Sequence, residues 1–129
     1  MTAQVIMIDD NEDDLLFSRI VFERSGSDLK LVQFTSAVEA LAYFQSGALS
    51  QPALVLLDIN MPGMGGFEFL EAYQGLPSHL RTSTVIVMLT SSIDDRDRVR
   101  ALSFPPVKGF VSKPLERNGV ADLLKLVGR

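Results

Sequence analysis

Short apolar runs alternate along this chain with longer amphipathic segments. The runs fall at Val5–Ile8, Leu29–Phe34, Ala53–Leu57, Val85–Leu89 and Gly109–Val111. They are rich in Val, Ile and Leu, and most are continuous, the pattern of strands buried on both faces. Between them Ala37, Ala40, Leu41 and Phe44 recur at i, i+3, i+4 and i+7, and so do Val120, Leu123, Leu124 and Val127. That spacing marks one face of a helix. Ser36 with Glu39 forms a capping-box pattern, and Gly47 suits a helix stop. Asn11 is placed to cap the first helix and Ser92 the fourth. Pro105 and Pro106 should end the fourth helix by about Phe104. The pattern predicts βαβαβαβαβα, an α/β fold with a parallel sheet and helices on both faces.

Sheets of this kind bind ligands outside the carboxyl ends of their strands. The first run ends in Asp9-Asp10, the third in Asp58, the fourth in Thr90 and the fifth in Lys113-Pro114. The second ends without charge in "QFTS". Three carboxylates ~4 Å apart repel by roughly 1 kcal/mol per pair in water and ~4 kcal/mol at an effective dielectric of 20. Such a cluster needs a cation. Oxygen donors without His or Cys favour a hard ion, Mg²⁺ before zinc. Lys113 adds an ammonium and Thr90 a hydroxyl. Around a carboxylate, these groups suit phosphoryl transfer, with the carboxylate itself as nucleophile.

Composition narrows the classes. The chain has 129 residues, the size of one domain, with 12 basic and 16 acidic side chains and a net charge of −4. That balance argues against a nucleic-acid-binding face. There is no cysteine, and His79 is the single histidine, so thiolate and His-rich zinc sites are excluded. No apolar run approaches the ~18 residues of a membrane span, and the N-terminus lacks a signal-peptide pattern. A soluble cytoplasmic protein is expected. Neither G-x-x-x-x-G-K-[ST] nor G-x-G-x-x-G occurs, since "GMGGFE" has glutamate at the third glycine. "DDNEDD" fails the calcium-loop pattern at Asp14 and Ile20. An aspartyl-phosphate hydrolase would want a second Asp where Asn60 stands. These departures point away from an enzyme.

Asp9-Asp10, Asp58 in "LLDINMPGMGG", Thr90 in "MLTSS" and Lys113 in "FVSKPL" together resemble the receiver domain of two-component response regulators. The resemblance covers nearly the whole chain. It implies a flavodoxin-like (βα)5 fold with strand order 2-1-3-4-5. Asp58 would accept a phosphoryl group from a sensor histidine kinase or a histidine phosphotransfer protein. Asp10 would hold Mg²⁺ directly, Asp9 through water, Asp58 by its carboxylate and Asn60 by its backbone carbonyl. Thr90 and Lys113 would contact phosphoryl oxygens. The Lys113–Pro114 bond would be cis. Thr90 and Phe110 would form the switch that alters the surface of helix four, strand five and helix five. A single receiver spanning residues 1–129 leaves no room for an output domain. The chain would then signal by altered binding to another protein, or serve as a relay intermediate or phosphate sink.

Plainer readings stand beside these. Phe110 fits a core position as well as a switch. Asp13 and Asp14 read as an acidic helix start. "DDRDRVR" reads as a solvated helix face with an Asp94–Arg98 pair, and His79 as a surface residue in a loop. Phe17 and Val21 suit either a kinase-docking patch or the core. The prolines at 105 and 106 stiffen the usual output surface. Ser91 stands where a smaller residue is common beside Thr90. The kinase, the downstream partner, the sign of regulation and dimerisation are not legible.

Overall fold

The computed structural model describes residues 4–26, 30–47, 53–81, 84–90 and 94–126. Its elements are β1 (Gln4–Ile8), α1 (Glu12–Arg24), β2 (Lys30–Phe34), α2 (Ala37–Gln45), β3 (Ala53–Asp58), α3 (Gly66–Gln74), a 3₁₀ turn (Ser78–Leu80), β4 (Thr84–Thr90), α4 (Asp95–Leu102), β5 (Val107–Ser112) and α5 (Arg117–Leu126). All pairings are parallel, in the order β2-β1-β3-β4-β5. This is the flavodoxin-like order that the resemblance implied.

Strand alternation splits the core in two. Ile6, Ile8, Val55, Leu57, Ile86 and Met88 face one side, where α2, α3 and Ala101 of α4 cover them. Val5, Met7, Leu54, Leu56 and Val87 face the other, under Leu15 and Phe22 of α1 and Val120 and Leu123 of α5. Every residue of β1 and β3 is buried, which explains their continuous apolar runs. Each large aliphatic side chain buried there contributes roughly 1.5–3 kcal/mol. The register sets Ile8 beside Leu57, Asp58 beside Leu89 and Thr90 beside Ser112, so the strand ends lie level at one edge.

The helix caps follow the sequence except at α4. Asn11 Oδ1 accepts from Asp14 N at 3.0 Å, and Ser36 Oγ from Glu39 N at 3.1 Å. Ser91 and Ser92 lie outside the described residues. The cap of α4 is Asp94, whose Oδ1 accepts from Asp97 N at 2.8 Å. Leu29, the first residue of one predicted segment, and Val127, the last of another, also fall outside.

The fourth helix stops at Leu102, as the prolines require. Its chain then turns, with Val107 N bonded to Phe104 O at 3.0 Å. Pro106 is put to use there, because its carbonyl accepts Ile86 N at 2.8 Å and starts the pairing of β5. β5 is longer than its apolar run for that reason. A register shift at Ile86/Val87 leaves Lys108 as a bulge. α4 is lightly anchored: Ala101 is its buried residue, while Val99 is 70% and Leu102 51% exposed.

Candidate functional site at the carboxyl edge

The level strand ends bring the charged residues together. Asp9 and Asp58 are buried at 2% and 7% exposure, and Asp10 is exposed. Carboxylate oxygens of Asp9, Asp10 and Asp58 lie within 4.8 Å of one another. Lys113 reaches this group from the end of β5. Its Nζ is 2.8 Å from Asp9 Oδ2, 3.0 Å from Asp14 Oδ2 and 3.6 Å from Asp58 Oδ2. The lysine itself is placed by Lys113 N bonding Thr90 O at 2.8 Å. The Lys113–Pro114 peptide is cis.

The loop after β3 is shaped by two glycines. Gly63 has φ +74°, a left-handed conformation that suits glycine. Gly66 has no room for a side chain: a Cβ there would lie 2.6 Å from Asp58 O. This close approach, with Gly66 N bonded to Ile59 O at 2.9 Å, folds the loop over the end of β3 and brings Asn60 beside Asp58. Asn60 is exposed, and its backbone N–H favours the charged form of Asp58.

Electrostatics at Asp58 follow from burial. Desolvation, then the charges of Asp9 and Asp10, push its carboxyl up to about 6, against the opposing pull of Lys113 and the Asn60 N–H. At neutral pH Asp58 is still mostly ionised. Burial alone would lower the Lys113 ammonium. Hydrogen bonds to Asp9 and Asp14 and the charges of Asp9 and Asp58 outweigh it and raise the group above the ordinary lysine range.

Thr90 and Phe110 lie on the α4 side of the sheet. Thr90 is buried at 5%, two residues beyond Met88 and so on the same face. Phe110 pairs with Met88 in register and packs, partly buried, against the same cluster. Its ring is not simply a core residue. The Arg98 guanidinium lies over it at 4.8 Å from the centroid. That contact replaces the expected Asp94–Arg98 pair, because Asp94 turns its carboxylate to cap the helix. Arg100 holds the opposite side of α4, 4.3 Å over the Phe67 ring of α3 and 3.1 Å from Glu71 Oε1.

Other assignments shift as well. Asp14 is not merely a helix-start acid but the hydrogen-bond acceptor of Lys113. Phe17 is 46% exposed, with Leu16 at 56% and Ile20 at 37%, while Val21 is half-buried. Phe17 lines a cleft of about 310 Å³ with Asp14, Leu89, Lys113 and Pro114. His79 is exposed, in the 3₁₀ turn rather than an irregular loop.

The acidic group also passes a test for a cation. Asp9 Oδ2 is buried, and its close partner among the described residues is the Lys113 ammonium at 2.8 Å. The donors are all oxygen. Three carboxylates gathered around one ammonium leave excess negative charge, which suits a hard divalent ion.

Comparison with known proteins agrees with this geometry. The family model for the response regulator receiver domain matches residues 5–125. The chain belongs to that family. It is 32% identical over 126 residues to the cyclic di-GMP phosphodiesterase response regulator RpfG of Xanthomonas campestris, covering 95% of this chain and 32% of that protein. The chain thus spans about a third of that relative. Among solved structures, a response regulator receiver protein from Dyadobacter fermentans is 31% identical with a TM-score of 0.86, covering 98% of each chain. A two-component response regulator from Cytophaga hutchinsonii is 26% identical with a TM-score of 0.88, covering 98% of this chain and 96% of that one. Receiver domains are signalling modules of two-component systems that take phosphoryl groups from histidine kinases or phosphotransfer proteins. The family binds Mg²⁺ at an acidic pocket, and here Asp9, Asp10 and Asp58 form a group that could hold a metal ion. No described helix is long and apolar enough to cross a membrane.

Proposed function

We propose that this receiver accepts a phosphoryl group on Asp58 in the cytoplasm and signals by a changed affinity for a protein partner. The observation that carries the reading is the placement of Asp58 among Asp9, Asp10 and Lys113 at the edge of the sheet. In the reaction, an Asp58 carboxylate oxygen attacks the phosphorus of a phosphohistidine. The P–O bond forms as the P–N bond breaks, and the imidazole leaves with the electron pair and takes a proton from water. Asp58, ionised above its pKa of about 6, is competent to attack at neutral pH. Lys113 offsets charge on the transferring oxygens, and the Thr90 hydroxyl donates to one of them. Asp9, Asp10, Asp58 and the Asn60 carbonyl would hold Mg²⁺, which supplies further charge neutralisation when bound.

The donor would dock against the exposed apolar stripe Leu16, Phe17 and Ile20 on α1, beside the cleft that leads to Lys113. After transfer, Thr90 would move toward the phosphoryl group and Phe110 would follow. That movement would pull the ring from beneath Arg98 and loosen α4. The mildly acidic surface argues against nucleic acid as the target.

Incubation with Mg²⁺ and acetyl phosphate tests the reading. The expected result is one added phosphoryl mass, absent without Mg²⁺ and absent in Asp58→Asn. An undiminished adduct in Asp58→Asn would overturn it.

A further inference from the structure

Four residues close a ring at the mouth of the site. Asn11 N donates to Asp9 Oδ1 at 3.0 Å, and Asp14 N donates to Asn11 Oδ1 at 3.0 Å. Lys113 Nζ donates to Asp14 Oδ2 at 3.0 Å and lies 2.8 Å from Asp9 Oδ2. The ring joins the end of β1, the first turn of α1 and the end of β5. It holds the ammonium on the Asp9 and Asp14 side of the site, 3.6 Å from Asp58.

Asp14 differs from the other carboxylates around Lys113. It is not in the cluster of Asp9, Asp10 and Asp58. Its side chain is 40% exposed, against 3% for Asp9 and 9% for Asp58. Its backbone is fixed by the Asn11 cap, and from that first turn its carboxylate reaches the ammonium at 3.0 Å. A tetrahedral anion on Asp58 needs the same ammonium. Asp14 and that anion therefore compete for one cation.

We propose that Asp14 is a positioning residue, which draws Lys113 toward the Asp9 and Asp14 side of the site in the unphosphorylated protein and so sets how readily a phosphoryl group is received and kept. The inference rests on the receiver reading above and adds a residue to it. With Asp14 in place, the arriving anion shares the ammonium with both Asp9 and Asp14. With Asp14 neutral, Asp9 at 2.8 Å is the remaining carboxylate in hydrogen-bond reach of the ammonium, which can swing further toward the anion. A partly exposed ion pair sets the scale, about threefold in affinity.

Fluoroberyllate, which adds to a carboxylate as a tetrahedral phosphoryl mimic, is the probe, titrated at saturating Mg²⁺. Asp14→Asn should bind it about threefold more tightly than the parent. Asp14→Glu, which restores the charge, should return toward the parent affinity. In a Lys113→Met background the Asp14→Asn effect should vanish, because there is no ammonium left to release. Unchanged or weaker binding in Asp14→Asn would overturn the proposal. So would an equal gain in the Lys113→Met background, since a general change of charge or helix start would act without the lysine. If the parent itself fails to bind fluoroberyllate with Mg²⁺, the receiver reading is what fails, and Asp14 has no anion to compete with.

Discussion

Replacing Asp58 by Asn should stabilise the metal-free protein at neutral pH. The carboxyl has an ordinary value of 3.8 and is pushed up to about 6 in the folded chain, first by burial and then by Asp9. Below pH 3.8 it is protonated whether the chain is folded or not, and it costs nothing. As pH rises toward 6 the unfolded chain releases its proton while the folded chain keeps it, so stability is lost across that window. Above about 6 the loss is complete. The shift of about two units corresponds to about 3 kcal/mol at 1.36 kcal/mol per unit. Asn carries no charge and escapes this loss. Thermal unfolding in EDTA, followed by circular dichroism from pH 4 to 8, measures it. Asp58→Asn should match the parent near pH 4 and exceed it by about 10 °C at pH 7. Saturating Mg²⁺ should narrow the gap, because a cation among the three carboxylates removes the repulsion. A variant equal to or less stable than the parent at pH 7 without metal would refute the argument. It would mean that Lys113 already compensates Asp58 in full.

Three further outcomes follow from the same geometry. Lys113→Ala should lower stability by about 2–3 kcal/mol at pH 7, because it leaves a buried Asp9–Asp58 pair without its cation, and the loss should shrink at pH 4 in a urea-melt comparison. A double-mutant cycle between Arg98→Ala and Phe110→Leu should give a coupling of about 0.5–1 kcal/mol in urea unfolding, and additive effects would show that the stacked guanidinium does not hold α4 to β5. Gly66→Ala should cost several kcal/mol by calorimetry, since its Cβ would meet Asp58 O at 2.6 Å and neither backbone can move without opening the site. A cost below 1 kcal/mol would contradict that contact.

Much of this molecule was legible from apolar runs. β1 and β3 are buried on both faces, so their sequences lack polar interruptions and their ends show where the charges begin. Asp9, Asp10, Asp58, Thr90 and Lys113 could therefore be singled out before any contact was known. β5 was harder. It is an edge strand with a bulge, and its first pairing uses Pro106, a residue that reads as a breaker. The cap of α4 was misplaced because "TSSIDD" offers serines and aspartates together, and local preference does not choose among them. The Lys113–Asp14 bond joins residues 99 positions apart, and nothing local distinguishes Asp14 from Asp13. Only the first turn of α1, fixed by Asn11, aims one of them at the lysine. Arg98 was hidden for a similar reason: a charge on a solvated helix suggests a partner on that helix, whereas its partner is a ring on the neighbouring strand.

Asp58, rather than Asp9 or Asp10, is the proposed carrier of the phosphoryl group. Borohydride reduces an acyl phosphate to an alcohol and leaves homoserine where the phosphorylated aspartate stood. Protein treated with Mg²⁺ and acetyl phosphate, reduced and mapped by peptide sequencing, should carry homoserine at position 58 and nowhere else. Homoserine at position 9 or 10, or at no position, would contradict the account.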